Sequence, residues 1–411
     1  MRNPLRQLLR STSGNVLVLA GLSMPLLIGF AGMATDTIQW TLDKRQLQRT
    51  ADSAALAGAY SIAQNKDAND SAQKNIEANN RLVLAAAPII ENAPTSGSYA
   101  GDMNAVYVEL ATRKPLPFSG IFMNAAPLIK ARSTAAMIAN GNYCVISLDT
   151  SLDVGVEATG SSYVDLNCGI FANSRSGNAV SAGGSTLVVS DVVGAVGGLT
   201  PSNRYAPGTA FLPYSAPQPD PFADLPTPEP SGCKNKVNVN PKQSLTLDPG
   251  CYSGMDIKGT VHFNPGVYYI DGGVLSFGAQ ANATGVGVTF ILTSTSAATN
   301  PNSIATLDIN GTSELNFSSP TSGDYKSVLF YQDRRAPSGT TKINGNNKSS
   351  IEGGIYFPKH LIQFNGNSGF KTDCVQLIGL KVNFTGNSAI NNQCPSNGPS
   401  TFRGSVVRLV S

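Results

Sequence analysis

The side chains that could act in catalysis are few and are well separated along the chain. The strongest local group is Asp333, Arg334 and Arg335 in "YQDRRAP", directly after the predicted strand "SVLFY". The two histidines, His262 and His360, lie on separate predicted strands, with no cysteine or acid at the spacing of a nucleophile relay. We therefore predict a salt-linked loop at residues 333–335, packed or surface histidines, and no catalytic or cofactor-binding residues.

Six cysteines form an even set without the CxxC pair that zinc and redox sites use. They are Cys144, Cys168, Cys233, Cys251, Cys374 and Cys394. Behind a membrane-targeting start, such a set favours disulfides in an oxidising compartment. Several connectivities are possible. We expect pairing between neighbours: 144 with 168, 233 with 251, and 374 with 394.

The composition argues against a nucleic-acid-binding protein, and the absence of one motif argues against an ATPase. The chain has 411 residues and a formal net charge of +3, and 13% of its residues are charged. Nucleic-acid binding is not expected, because nucleic-acid-binding domains usually carry a strong excess of Lys and Arg, and the overall charge of this chain shows no such excess. No glycine-rich loop of Walker spacing marks an ATPase. The length is sufficient for two or three domains with their own cores.

An uncharged apolar run at residues 15–35, "NVLVLAGLSMPLLIGFAGMAT", predicts a transmembrane helix, since about 20 such residues cross a bilayer. Arg2, Arg6 and Arg10 precede it, so residues 1–14 are expected to remain cytoplasmic and the chain from Asp36 onward to be exported. A cleaved secretory signal is the alternative. The length of the run and its direct continuation into a helix favour a retained anchor.

The helix is predicted to continue to about residue 80 and to carry a narrow face of small residues. Such a face lets another backbone approach closely, either a partner helix or the chain's own small domain. The predicted interface comprises Leu47, Ala51, Asp52, Ala54, Ala55 and Gly58. Asp52 follows Arg49 by one turn and could pair with it on the helix flank. Candidate strands follow at residues 104–112 and 128–139.

Residues 13–59 resemble the N-terminal module of the TadG-like proteins of the Flp/Tad (tight adherence) pilus-assembly system. The features that carry the resemblance are the basic start, the Gly-Asn entry into the span, the mid-span proline, the aspartate at its exit and the block "LQRTADSAALAGA". Prepilins of this system have a glutamate five residues after the prepilin-peptidase cut. After Gly14 that position is Leu19. The resemblance therefore implies an assembly or accessory protein rather than a pilus subunit.

From residue 141 a short pattern recurs, in which alternating apolar residues are followed by a glycine and small polar residues. Gly160 and Gly184 are 24 residues apart, whereas Gly345, Gly366 and Gly386 follow one another at 21 and 20. Periods in this range are typical of solenoid coils, whose stacked strands bury a continuous apolar column. We predict a right-handed parallel β-helix. The alternative is a β-sandwich, which also consists of many short strands.

The chain is expected to be mainly β, behind its N-terminal transmembrane helix and a helical or α+β module. Residues 200–230 contain nine prolines, so they are predicted to cross or link two groups of coils. The predicted divisions are a cytoplasmic start at 1–14, the span at 15–35, the TadG-like module at 36–140, first coils at 141–199, the proline-rich crossing at 200–232 and a solenoid domain at 233–411.

The stretch "DTSLD", Asp149–Asp153, resembles the DxSxS metal loop of von Willebrand A domains, which other TadG-like proteins carry. A Mg²⁺ ion there would take carboxylate and hydroxyl oxygens. Asp153 stands in place of the last serine, and no alternating βα pattern follows. We therefore predict a turn and no metal site.

These observations predict a non-enzymatic, single-pass protein of the bacterial inner membrane, with a periplasmic or surface-exposed C-terminal domain that serves Flp/Tad pilus biogenesis. Expected partners are other pilus-assembly proteins, reached through the N-terminal helix, the membrane itself, and peptidoglycan or glycan. The alternatives are a membrane-tethered β-helical carbohydrate-active enzyme and a glycan-binding adhesin. Enzymes on such folds need clustered carboxylates, and Glu352 and Asp373 are the only acids in the last three predicted coils.

Overall fold

The computed structural model describes residues 15–64, 66–345, 348–366, 370–386, 389–392 and 402–410. The chain divides into two compact units. Unit 1 comprises residues 1–138 with 407–411, and unit 2 comprises residues 139–406.

Unit 1 contains the helices α1 (Asn15–Ala63), α2 (Ala68–Asn79) and α3 (Ser119–Phe122). α1 ends at Ala63, so the prediction of one helix to about residue 80 is wrong. Asp67 starts a new helix, because its side chain accepts a hydrogen bond from the backbone N–H of Asp70 at 2.7 Å and so caps α2. α2 packs on α1 through one buried face formed by Ala68, Ala72 and Ile76.

Unit 1 also contains an antiparallel sheet of β1 (Ile89–Asn92), β2 (Ala105–Thr112) and the first part of β3 (Ile129–Ser147), a strand that continues into unit 2. The strands predicted at 104–112 and 128–139 are thereby confirmed. Val106, Val108 and Leu110 alternate along β2 and are fully or almost fully buried. β2 packs against α1, and its period of two gives it one apolar face for that contact.

Most of the remaining strands have three to six residues, whereas β24 and β25 have 17 each. The first group is β4 (Val156–Ala158), β5 (Tyr163–Asp165), β6 (Gly169–Ala172), β7 (Val180–Ala182), β8 (Leu187–Val189), β9 (Val192–Ala195) and β10 (Ala210–Leu212). The second group begins with β11 (Val237–Val239), β12 (Ser244–Leu247), β13 (Gly250–Tyr252), β14 (Met255–Ile257), β15 (Thr260–Phe263), β16 (Gly266–Asp271), β17 (Val274–Phe277), β18 (Asn282–Val286) and β19 (Val288–Thr293). It continues, after a 3₁₀ turn at Pro301–Ser303, with β20 (Thr306–Ile309), β21 (Glu314–Ser318), β22 (Val328–Gln332), β23 (Gly339–Gly345), β24 (Ser350–Gly366), β25 (Phe370–Gly386), β26 (Ala389–Asn392) and β27 (Phe402–Leu409).

The fold of unit 2 is a parallel sheet of many strands, arranged in three ladders. A strand pairs with the one three positions later, as when β14 pairs with β17 and β17 with β20. The antiparallel pairs formed by β1 and β2 lie within residues 84–136, in unit 1. A β-sandwich consists of antiparallel sheets, so the ladders differ from that alternative.

The order of strands in the ladders differs from their order along the chain. β25 pairs with β24 on one side and with β3 and β4 on the other. β26 likewise pairs with β5. Strands β4–β10 therefore lie beyond β25 and β26, although they precede β11 in the sequence.

The repeated glycines align from strand to strand. Gly345 pairs with Gly366, and Gly366 pairs with Gly386. Gly160 (φ +82°) lies against the backbone of Gly386, and Gly184 (φ +66°) lies against that of Gly160. A side chain at either of the last two positions would meet backbone atoms in a conformation that L-residues resist. The sequence period thus specifies the register of the ladders.

A continuous apolar core runs along one face of the ladders. Its centre is a group of aromatic rings in contact: Phe263, Tyr268, Phe277, Phe290, Phe317 and Phe330. Phe290 is fully buried, and its ring centroid lies 5.0 Å from that of Phe263 and 5.4 Å from that of Phe330. Aromatic pairs at these separations add stabilisation beyond the area they bury.

The ladder that contains β6, β9, β19 and β22 is buried on both faces, as its near-continuous apolar sequences indicate. Its second face carries a separate apolar cluster that includes Tyr331, Tyr356 and Phe222. Phe222 belongs to the proline-rich stretch. We call residues 213–232 the covering segment, because they lie over this face and connect β10 to β11.

Candidate functional site

The small-residue face of α1 is occupied by the protein's own unit 1. Leu47, Ala51, Ala54 and Ala55 have no exposed surface, and Gly58 is buried. A Cβ at Gly58 would lie 2.9 Å from Val106 Cγ1 and 3.2 Å from the carbonyl oxygen of Ala68. Glycine at this position therefore allows the backbone of α1 to approach both β2 and α2. Sequence periodicity indicates a close contact but cannot identify which neighbour makes it.

Asp52 lies on the flank of that face, where its hydrogen bond comes from Gln48. Gln48 Nε2 donates to Asp52 Oδ1 at 2.8 Å and to the carbonyl oxygen of Arg132 at 2.7 Å. Arg49 and Asp52 form no ion pair within the part of the chain that the structure describes, so the flank pair that their spacing allows is not formed. Asp52 instead helps to position the amide that links α1 to β3.

A second contact, which the sequence reasoning missed, fastens a loop beside the end of the apolar run. The carboxylate of Asp36 accepts a hydrogen bond from the backbone N–H of Ser119 at 2.5 Å, and Asp36 is only 2% exposed. Trp40 Nε1 donates to the carbonyl oxygen of Lys114 at 3.5 Å. The aspartate at the exit of the apolar run was visible in the sequence, but its partner lies 83 residues away.

The outer face of β2 and β3 carries a charge cluster centred on Glu109. Glu109 accepts hydrogen bonds from Lys130 Nζ, Arg132 Nε and Tyr107 Oη at 2.7, 2.7 and 2.8 Å. These bonds lower the pKa of Glu109 to about 2, and the bond from Lys130 has the largest effect. Burial opposes the shift. Burial and the bond to Glu109 raise the pKa of Tyr107 to about 12. Glu109 and Lys130 also line a groove of about 570 Å³ whose other walls are mostly apolar.

The variant Glu109→Gln is expected to destabilise unit 1 by about 1–2 kcal/mol at pH 7, since its two cationic partners are partly solvated. A carboxylate whose pKa is lowered on folding contributes stability above its unfolded pKa, near 4.5, and loses it as the pH falls toward 2. The difference between the variant and the wild type should therefore shrink below pH 4.5. Fluorescence of Trp40, the only tryptophan, reports the unfolding of this unit.

A matched control is Glu77→Gln, on the exposed side of α2. This variant should change the stability of unit 1 little between pH 7 and pH 3. A difference between Glu109→Gln and the wild type that stays constant from pH 7 to pH 3 would contradict the charge assignment.

The stretch Asp149–Asp153 forms a turn held by its own hydrogen bonds and by a lysine. Asp149 accepts from the backbone N–H and the hydroxyl of Ser151 at 3.0 and 2.8 Å. Lys381 Nζ lies 3.5 Å from Asp149 Oδ2 and 2.7 Å from Asp153 Oδ2, and the latter contact lowers the pKa of Asp153. A positive charge between the two carboxylates disfavours a divalent cation there.

Asp333, Arg334 and Arg335 hold the covering segment in place. Asp333 is fully buried and accepts from Arg335 Nη2 at 2.6 Å and from Thr293 Oγ1 at 2.7 Å. Burial alone would raise the pKa of Asp333, but the hydrogen bonds from Arg335 and Thr293 lower it overall. The predicted salt link exists. The loop that carries it follows β22 and is packed, since Asp333 has no exposed surface.

The two arginines extend from this group to carbonyl oxygens of the covering segment. Arg335 Nη2 donates to Pro228 at 3.0 Å, and Arg334 Nη1 donates to Leu225 at 3.0 Å. Arg334 also donates to Phe222 and, from Nε, to Tyr356 Oη at 3.0 Å. Proline-rich backbone offers carbonyl oxygens without matching N–H groups, so arginine, which only donates, is a suitable partner.

The two histidines make separate, local contacts. His360 is buried, and its Nδ1 lies 2.8 Å from Thr341 Oγ1. Burial lowers the pKa of His360. His262 Nδ1 lies 3.0 Å from Thr284 Oγ1 on the neighbouring strand. The structure does not bring the two histidines together, and each imidazole pairs with a threonine across the ladder.

Two of the predicted disulfides are confirmed. Cys144 is bonded to Cys168, next to the paired strands β3 and β6, and Cys233 is bonded to Cys251. The second disulfide joins Cys233, the residue directly after the covering segment, to β13. Cys374 is also disulfide-bonded, and its predicted partner, Cys394, lies outside the described residues.

A family model described as putative Flp pilus-assembly TadE/G-like matches residues 14–64. These bounds coincide almost residue for residue with α1, Asn15–Ala63. α1 is also long and apolar enough to cross a membrane. Comparison of the chain with curated proteins and with solved structures gives no match.

Proposed function

We propose, starting from the TadE/G-like Flp pilus-assembly domain that residues 14–64 form, that the protein is a single-span, membrane-anchored component of Flp/Tad pilus assembly. The observation that carries the proposal is the division of α1 into two parts. The side chains of its apolar first part, such as Leu22 and Phe30, are exposed, whereas those from Leu47 onward are packed into unit 1. A long apolar helix segment whose large side chains are exposed is suited to contact with lipid.

The orientation follows from charge and from the disulfides. Arg2, Arg6 and Arg10 precede the apolar run, and basic flanks stay in the cytoplasm. Disulfides persist in oxidising compartments such as the bacterial periplasm, and unit 2 contains Cys144–Cys168 and Cys233–Cys251. Both arguments support an N-terminus inside and unit 2 outside the inner membrane.

For unit 2 we infer a right-handed parallel β-solenoid. Each strand in the three parallel ladders pairs with the strand three positions later in the chain. This pairing corresponds to three strands in each coil. Partner residues such as Val156 and Val180 are 24 apart, and Phe364 and Phe384 are 20 apart, which is the period of one coil. Right-handed crossovers are strongly preferred between parallel strands.

We propose a mechanical and binding role for unit 2 rather than an enzymatic one. The charged and imidazole groups singled out from the sequence have structural partners: Asp333 with Arg335, Asp149 with Lys381, and His360 with Thr341. Long ladders that end in polar, glycine-containing turns supply an extended surface for contact with pilus, cell wall or glycan. Because unit 1 occupies the small-residue face, assembly partners would contact α1 on its exposed apolar part.

The experiment is deletion of the gene, complemented with the full chain or with a form that begins at Asp36 behind a cleavable export signal. We expect deletion to abolish or alter pili and surface attachment, and only the full chain to restore them. Pili are counted by electron microscopy, and fractionation with protease accessibility locates each form.

Normal piliation after deletion would reject the assembly role. Full restoration by the form that begins at Asp36 would retain the assembly role but reject the need for an anchor. The two parts of the proposal are thus tested separately.

A further inference from the structure

The loop between β2 and β3 is fastened to α1 at the level where the apolar run ends. Phe118 lies directly against Gly32, where no larger residue of α1 could be accommodated without displacing the ring. Gly32 lies within the apolar run, about one turn before its end at Thr35. The hydrogen bond from Ser119 to Asp36 holds the start of α3 at the same level.

Directly after this attachment the loop exposes large apolar side chains. Ile121 in α3 is 73% exposed, and Met123, which follows α3, is 43% exposed. Ile121 lies three positions after Phe118, and one helical turn rises only about 5 Å. Its side chain is therefore close to the end of the apolar run. Exposed Arg113 and Lys114 precede the loop, as basic residues often flank membrane-inserted segments.

We propose that residues 116–123 enter the headgroup and acyl boundary of the bilayer beside the outer end of α1, so that unit 1 contacts the lipid surface at a second point. The occupant of this apolar patch is phospholipid, because the patch is continuous with the exposed apolar part of α1. Exposed apolar side chains beside basic residues are typical of segments that insert at this boundary. The inference rests on the proposed span of residues 15–35.

The test measures immersion by tryptophan fluorescence in the full chain, reconstituted into phosphatidylcholine vesicles with brominated acyl chains. In a Trp40→Phe background, tryptophan is placed at one site at a time: Ile121→Trp, Met123→Trp, Leu26→Trp or Met103→Trp. Leu26 lies within the span. Met103, 67% exposed, precedes β2 and lies at the opposite end of that strand from the loop, about 25 Å from Thr112.

We expect brominated lipid to reduce the emission of Ile121→Trp and Met123→Trp by about twofold, as for a residue at the acyl boundary, and to leave Met103→Trp nearly unchanged. If Leu26→Trp is quenched but both loop probes behave like Met103→Trp, the loop does not enter the bilayer and the inference is overturned. If Leu26→Trp is not quenched either, the proposed span itself is wrong. The two failures are thus distinguishable.

Discussion

The variant Phe290→Ala is expected to lower the free energy of unfolding of unit 2 by about 3–5 kcal/mol, the range for removal of a buried phenyl ring. The effect should be at the upper end, because Phe290 is fully buried and its ring contacts rings from several other strands, which are themselves held in the core. Thermal unfolding followed by far-ultraviolet circular dichroism measures it. Trp40 fluorescence serves as an internal control, since Trp40 belongs to unit 1.

The matched control is Phe290→Leu, which keeps much of the volume and should cost roughly 1.5 kcal/mol or less. Equal thermal unfolding midpoints of unit 2 in the alanine and leucine variants would contradict the continuous aromatic core. A shift of the Trp40 transition as large as that of unit 2 would show instead that the two units unfold together.

The variant Asp333→Asn is expected to destabilise unit 2 by about 2–4 kcal/mol, because it leaves the guanidinium of Arg335 without its buried counter-charge. The estimate is below that for a fully buried pair, since the Arg335 side chain is 32% exposed. The released arginine should also loosen the covering segment. We therefore expect faster proteolytic cleavage within residues 213–232, measured by mass spectrometry of the early fragments.

Asp324→Asn is the matched control, because Asp324 is exposed in the same region of the chain. If Asp333→Asn lowers stability without any change in the cleavage rate of the covering segment, then Arg335 does not hold that segment. If cleavage is faster in Asp324→Asn as well, the effect is one of net charge.

The sequence predicted those features of the fold that depend on spacing. The glycines at 345, 366 and 386 were identified from their period, and they align in the ladders because one turn length repeats. The neighbour pairing of cysteines was confirmed at two sites because short loops close most readily. These signals are local, so a single sequence is sufficient to detect them.

The sequence could not predict contacts between distant residues. Nine prolines indicated a crossing, but Tyr356 Oη binds Asp220 over a separation of 136 residues, and no local pattern marks that pair. The end of α1 was missed for a different reason: alanine-rich residues on both sides favour helix, and the cap at Asp67 decides the break. The salt-linked loop at Asp333 was predicted from its local charges, but its complete burial was not, because burial is a property of the packed chain.

The stacking order of the strands constrains when unit 2 can complete its folding. Synthesis from the N-terminus makes β4 early, but Val156 on β4 pairs with Val382, which is made 226 residues later. Until then the first strands have an open, unpaired end, which promotes aggregation. Folding of unit 2 therefore requires almost the whole chain, and a chain that stops earlier would expose the unpaired edge of β4 instead of forming a shorter native domain.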